Sequence, residues 1–211
     1  MRLTGGSGPV TVVCLAAHPD DVEIGCGATL LALRESRGIS GAVLTMTGGA
    51  ERQDEARDAA RAFTADALET HFAGLPDGRL PEHWGAVKTA LHEVARRVPA
   101  PDLVFAPRPD DAHQDHRLVG ELTTTVWRGP TVLHYEIPKW DGDLARPNVY
   151  VPVTAEQARR KIELLTSCYP SQVDRAWWDD EMFLGHLRIR GIEAQHRYAE
   201  AFTTYKTVLE P

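Results

Sequence analysis

Val10-Thr11-Val12-Val13-Cys14-Leu15-Ala16-Ala17 runs directly into His18-Pro19-Asp20-Asp21-Val22-Glu23-Ile24-Gly25, and this junction decides the fold. The first eight residues are an apolar, β-branched run with the length of a buried strand. The next eight place an imidazole and three carboxylates in the turn that leaves it, and a helical run over 28–34 follows. In open α/β sheets, ligands bind outside the carboxyl ends of the strands, so these side chains stand at the edge open to substrate. Two adjacent aspartates repel, and a cation or strong hydrogen-bond donors must offset that repulsion. The competing reading is a plain helix start. Asp20 would then be an N-cap, Asp21 and Glu23 first-turn acids favoured by the helix dipole, and His18 a surface residue.

Beyond this junction the pattern alternates. Strands are predicted at 39–46, 68–72, 102–107 and 131–137, with helices over 52–65, 81–97 and 114–127 between them. Such alternation with short connections predicts a Rossmann-like α/β fold, a mostly parallel sheet flanked by helices. The last third reads as a strand at 148–153, a helix at 155–168 and another helix at 192–202, a small C-terminal α/β extension. No linker separates it, and 211 residues suit one domain spanning 1–211.

Composition narrows the function. A formal net charge of −7 argues against a nucleic-acid partner, because phosphate-backbone binding rests on basic surface. Cys14, Cys26 and Cys168 are odd in number and form no CxxC pair, which points to a reducing compartment. Cys14 reads as core and Cys26, between glycines, as packing. No apolar run approaches the roughly 20 residues that span a bilayer. Residues 1–9 lack the apolar core of a secretory signal. The expectation is a soluble, cytoplasmic protein with no membrane span, and a homo-oligomer is left open.

His113-Gln114-Asp115-His116 follows the strand at 102–107, as the first motif follows its own strand. Both clusters should therefore meet at one edge of the sheet. Histidines at i and i+3 of a helix are neighbours. His18, Asp21 and one of the two would make a three-ligand set, the arrangement of a catalytic zinc site with an open position. A second carboxylate nearby can take a proton from an activated water. His134, His186 and His196 stand alone and read as structural.

His18-Pro19-Asp20-Asp21 together with His113-Gln114-Asp115-His116 resembles the PIG-L/LmbE-like superfamily of metal-dependent N-acetyl-sugar deacetylases. The resemblance implies a Rossmann-like fold and hydrolysis of the N-acetyl group of an N-acetylglucosamine-type amino-sugar conjugate, a small-molecule substrate. It implies that His18, Asp21 and His116 hold Zn2+ (or Fe2+) and that Asp20 is the general base. It implies that His113 stabilises the oxyanion or protonates the leaving amine, with Asp115 orienting it. Thr47-Gly48-Gly49 followed by Arg52 and Glu55 is similar to a family loop whose Arg contacts the sugar. Leu75-Pro76-Asp77-Gly78, Ser171-Gln172 and Tyr198-Ala199-Glu200-Ala201-Phe202 are similar to further family segments. The chain departs from common family residues at Ala28, Gly49 and Gln114, which bears on substrate contacts rather than on the metal set. Trp177-Trp178 reads either as a sugar-stacking lid or as core or a subunit interface. Two other functions compete. One is an amidase on a thiol-conjugated sugar. The other is a non-catalytic nucleotide- or metal-binding Rossmann protein, although the first turn lacks the G-x-G-x-x-G that cradles a pyrophosphate.

Overall fold

A computed structural model describes residues 8–207. The elements run β1 Val10–Ala16, α1 Asp21–Arg37, β2 Ile39–Thr45, α2 Ala50–Thr64 and β3 Leu68–Phe72. A single 3-10 turn at Leu80–His83 leads into α3 Trp84–Arg97, then β4 Leu103–Pro107, α4 Gln114–Val126 and β5 Thr131–Tyr135. The remainder is β6 Val149–Val153, α5 Ala155–Cys168, α6 Asp180–Glu193 and β7 Tyr198–Thr203.

One seven-stranded sheet of order β3-β2-β1-β4-β5-β7-β6 results. The pairs β3–β2, β2–β1, β1–β4 and β4–β5 are parallel, and β7 runs antiparallel to both β5 and β6. Strand periodicity divides the core in two. Val12, Cys14 and Ala16 face α1, α2 and α5, while Val13, Leu15 and Ala17 face α3 and α4. Leu103 and Phe105 alternate with Val104 and Ala106 in the same way. Helices on both faces explain why β1 and β4 read as unbroken apolar runs.

The order reverses between β1 and β4, since α1 carries the chain one way and α4 the other. That reversal opens a crevice at the carboxyl ends of these two strands. Both motif turns empty into it. The first half of α1 is held by β7 and α5. Glu200 of β7 accepts from the backbone N–H of Ala28 (3.0 Å) and Thr29 (2.7 Å), and Lys161 bridges Glu200 and the Ile24 carbonyl, 2.6 Å from each.

The C-terminal third differs from the sequence expectation. Residues 192–202 are not a helix: the helix is α6, it ends at Glu193, and Tyr198–Thr203 is a buried strand. The cause is a tight return after Gln195 (φ 60), which brings the Arg197 carbonyl to 2.5 Å from where a Cβ on Gly191 would sit. Asp179 caps α6, its side chain accepting from Met182 N–H. The extension thus completes the main sheet through β7 and β6. Among the described residues, no helix is long and apolar enough to cross a membrane.

Gly120 lets α4 lie against the chain leaving β4, because a Cβ there would stand 2.6 Å from the Pro107 carbonyl oxygen. Gly120→Ala should cost about 1–3 kcal/mol by overpacking. Gly185→Ala on α6, where a Cβ meets nothing within 4 Å, should gain about 0.5–1 kcal/mol from helix propensity. Urea unfolding of the two variants tests this, and equal stabilities would refute the packing argument.

Candidate active site

The turn after β1 and the turn after β4 bring three donors together. Asp21 Oδ2 accepts from the backbone N–H of Ala17 (2.9 Å) and His18 (2.8 Å). Asp21 Oδ1 faces His116 Nε2 at 3.2 Å. His18 Nδ1 lies 3.0 Å from His116 Nε2 and 3.6 Å from the other carboxylate oxygen, Asp21 Oδ2. Neighbouring ligands on a tetrahedral zinc, with bonds of 2.0–2.2 Å, stand roughly 3.3–3.6 Å apart, so the donor set fits one small cation.

Each imidazole is backed by carboxylate. His116 Nδ1 lies 3.2 Å from Asp111 Oδ1, and His18 Nε2 lies 3.1 Å from Asp77 and 3.4 Å from Asp115. Carboxylates behind ligand histidines fix the ring and raise its basicity. Asp111 was not singled out in the sequence, although it sits two residues before His113 in the same turn. It also holds Lys139 (3.0 Å) and the backbone N–H of His113 (2.8 Å).

The protonation pattern states what the cluster needs. Burial works against charge on His116, yet Asp21 and Asp111 outweigh it and push the imidazole up to about 9. Burial likewise opposes a charged His18, and Asp115, Asp21 and Asp77 together raise it well above the usual imidazole value. Asp21 is held well below the carboxylate range: burial would raise it, but the two histidines prevail. Positive charge is demanded at this point, and a divalent cation could supply it in place of protons. Among the described residues, two further donor groups converge within 4.8 Å, His18/His113/His116 and His18/Asp77/Asp115, both sharing His18 with this centre.

Asp20 occupies the N-cap position of α1, but its side chain makes no capping bond. The plain helix-start reading therefore fails here. Its carboxylate accepts from Arg52 Nη2 instead, at 2.5 Å. Burial raises Asp20 to about 7, with Arg52 pulling down and Asp21 pushing up.

His113 caps α4, its Nδ1 accepting from the Asp115 backbone N–H at 3.2 Å. An accepting Nδ1 leaves the ring proton on Nε2. Burial and the neighbouring His18 and His116 lower its pKa, so this imidazole is neutral. Asp115 does not orient His113 through its carboxylate, contrary to the sequence expectation. The wholly buried carboxylate accepts from Gly78 N–H (2.8 Å) and Leu80 N–H (3.0 Å) and backs His18.

Arg52 reaches the site, but its four Nη hydrogens are already directed at protein. Nη2 serves the Pro19 carbonyl and Asp20, and Nη1 serves Glu55 and Ser171. Only Nε–H is left for the expected sugar contact.

His18, Asp20, Asp21, Arg52, His113 and His116 line a cavity of about 740 Å³, as do Lys139, Trp140, Arg175 and Trp177. Trp178 is core, packed on Tyr169 and Phe183, whereas its neighbour Trp177 faces the cavity. Cys26 is wholly buried, and burial pushes its thiol up, as a packing role requires.

Residues 13–127 match the sequence model of the PIG-L family, described as GlcNAc-PI de-N-acetylase. The chain is 29% identical over 167 residues to the uncharacterized deacetylase YaiS of Escherichia coli K12, covering 73% of this chain and 88% of that one. The N,N'-diacetylchitobiose deacetylase of Pyrococcus horikoshii superposes with a TM-score of 0.74 at 22% identity, over 92% of this chain and 83% of that one. GalB, the 4-carboxy-2-hydroxymuconate hydratase of Pseudomonas putida KT2440, does so with 0.76 at 17% identity, over 96% and 98%. Likeness at that identity speaks for the fold, which is shared by a deacetylase and a hydratase alike. Matched across more than half its length and through both motif turns, the chain belongs to the PIG-L family of deacetylases.

Proposed function

We propose that this protein is a metal-dependent hydrolase that removes the N-acetyl group from an N-acetylglucosamine-type amino-sugar conjugate. One observation carries the reading: a buried, uncapped carboxylate, Asp20, lies beside the His18–Asp21–His116 donors in one cavity. Family membership, the acetylated-sugar substrate named for the P. horikoshii neighbour, and two tryptophans lining the cavity support an amino-sugar substrate.

Two histidines and a carboxylate suit zinc or ferrous iron. Such an ion would polarise the amide carbonyl and make a water acidic near neutral pH. Asp20 takes the proton of the attacking water, and a carboxyl pKa near 7 is matched to that task. His113 presents neutral Nε2–H to the oxygen on which charge develops, the role of a fixed oxyanion donor. Its Nδ1 is committed to the helix cap, so it holds no spare proton for the amine. Asp20, protonated by the first step, returns that proton to the leaving nitrogen. Water adds across the amide, and acetate and the free amine leave.

Asp20→Asn should retain metal and lose 10²–10⁴-fold in kcat, the usual range for a general base. His116→Ala should lose both metal and turnover. Acetate release from N-acetylglucosamine conjugates, read beside metal content, tests this; normal turnover of Asp20→Asn would remove the assigned base.

Asp111→Asn leaves the three ligands in place but takes the carboxylate from behind His116. Zinc affinity, measured by competition with a chelator, should fall about 10–100-fold. Unchanged affinity would exclude His116 as a ligand supported from behind.

A further inference from the structure

Asp20 has φ 107 and ψ −24, a conformation that residues with a Cβ rarely adopt. Such conformations persist only where the surroundings over-determine them. Here the surroundings are specific. Arg52 Nη2 donates both to the Pro19 carbonyl and to Asp20 Oδ2, at 2.5 Å each, and so brackets the strained linkage from both sides. The Asp20 carbonyl is taken by Ile24 N–H at 2.9 Å. Gly48 lies against Pro19 so closely that a Cβ would come within 2.6 Å of the ring.

Arg52 is itself immobilised from the far side. Glu55 accepts its Nη1 at 2.5 Å. Glu55 is fixed in turn by Ser171, whose backbone N–H (2.8 Å) and hydroxyl (2.7 Å) donate to its two oxygens. The guanidinium also stands over the Tyr169 ring, 5.2 Å from its centroid. A chain Ser171–Glu55–Arg52–Asp20 therefore ties the segment after α5 to the turn after β1.

We propose that Arg52, locked by Glu55 and Ser171, is a positioning residue that holds Asp20 in its left-handed conformation and aims the carboxylate into the cavity. The catalytic part of this rests on Asp20 being the base; the conformational part does not. An arginine is required because one nitrogen must donate in two directions while another is anchored, which a lysine ammonium on a flexible stem does poorly.

Two measurements decide it. The first is a crystal structure of Arg52→Gln. Asp20 should leave the positive-φ region with its carboxylate turned from the cavity, whereas a φ still near 107 would overturn the proposal whatever the enzyme's substrate. The second is a kinetic cycle of Glu55→Gln against Asp20→Asn, read as acetate release from N,N'-diacetylchitobiose. Glu55→Gln, and more weakly Ser171→Ala, should lower kcat at least 10-fold with KM changed less than 2-fold. Glu55→Asp should recover part of the loss, and Glu55→Gln should add nothing once Asp20 is Asn. A rise in KM that persists in the Asp20→Asn background would instead make Arg52 a substrate contact and overturn the positioning role. A wild type that releases no acetate would count against the deacetylase reading, and the Arg52→Gln structure would still decide the clamp.

Discussion

Four aspartates buried at one end of a sheet are the constraint around which this molecule is built. Asp20, Asp21, Asp111 and Asp115 are each at most 8% exposed, and they crowd the crevice between β1 and β4. Isolated buried carboxylates are too costly to keep ionised, so each must find a donor or a cation. The fold supplies them one by one. Backbone N–H groups take one oxygen of Asp21 and both of Asp115, Lys139 and His113 N–H serve Asp111, and Arg52 serves Asp20. What is left over points at two imidazoles, and that is the candidate site.

The topology explains why these groups meet at all. β1 and β4 are adjacent only because the strand order reverses there, and both turns leave the same edge. The last third of the chain, far off in sequence, contributes support rather than chemistry. Glu200 and Lys161 hold the first half of α1, Ser171 holds Glu55, and Arg190 with His186 holds Glu136, next to the cavity-lining Ile137. A core alone would place the motif turns near each other. The polar ties set them to within hydrogen-bond distance.

Much of this was legible in the sequence. The apolar runs at 10–17 and 102–107 read as strands because burial on both faces leaves no polar alternation to obscure them. Placing the histidine–aspartate motifs at their ends brought His18, Asp20, Asp21, His113 and His116 to one edge, where the structure has them. The long-range polar partners were not legible. Asp111 was not singled out, and Asp115 was paired with His113, two positions before it, instead of with His18, 97 positions earlier. Arg52 offered itself as a ligand for sugar until its partners were known. The helix expected over 192–202 failed for the same reason: a buried strand such as Tyr198–Thr203 is defined by what it pairs with, and short apolar runs do not declare their period.

The central claim is that the leftover charge defines one cation position. Anomalous diffraction from crystals of the wild-type protein equilibrated with zinc, collected either side of the zinc edge, tests it most directly. The account predicts a single strong peak about 2.0–2.2 Å from His18 Nδ1, Asp21 Oδ1 and His116 Nε2. A peak bound instead by Asp77 and Asp115, or no peak in this cavity, would contradict it.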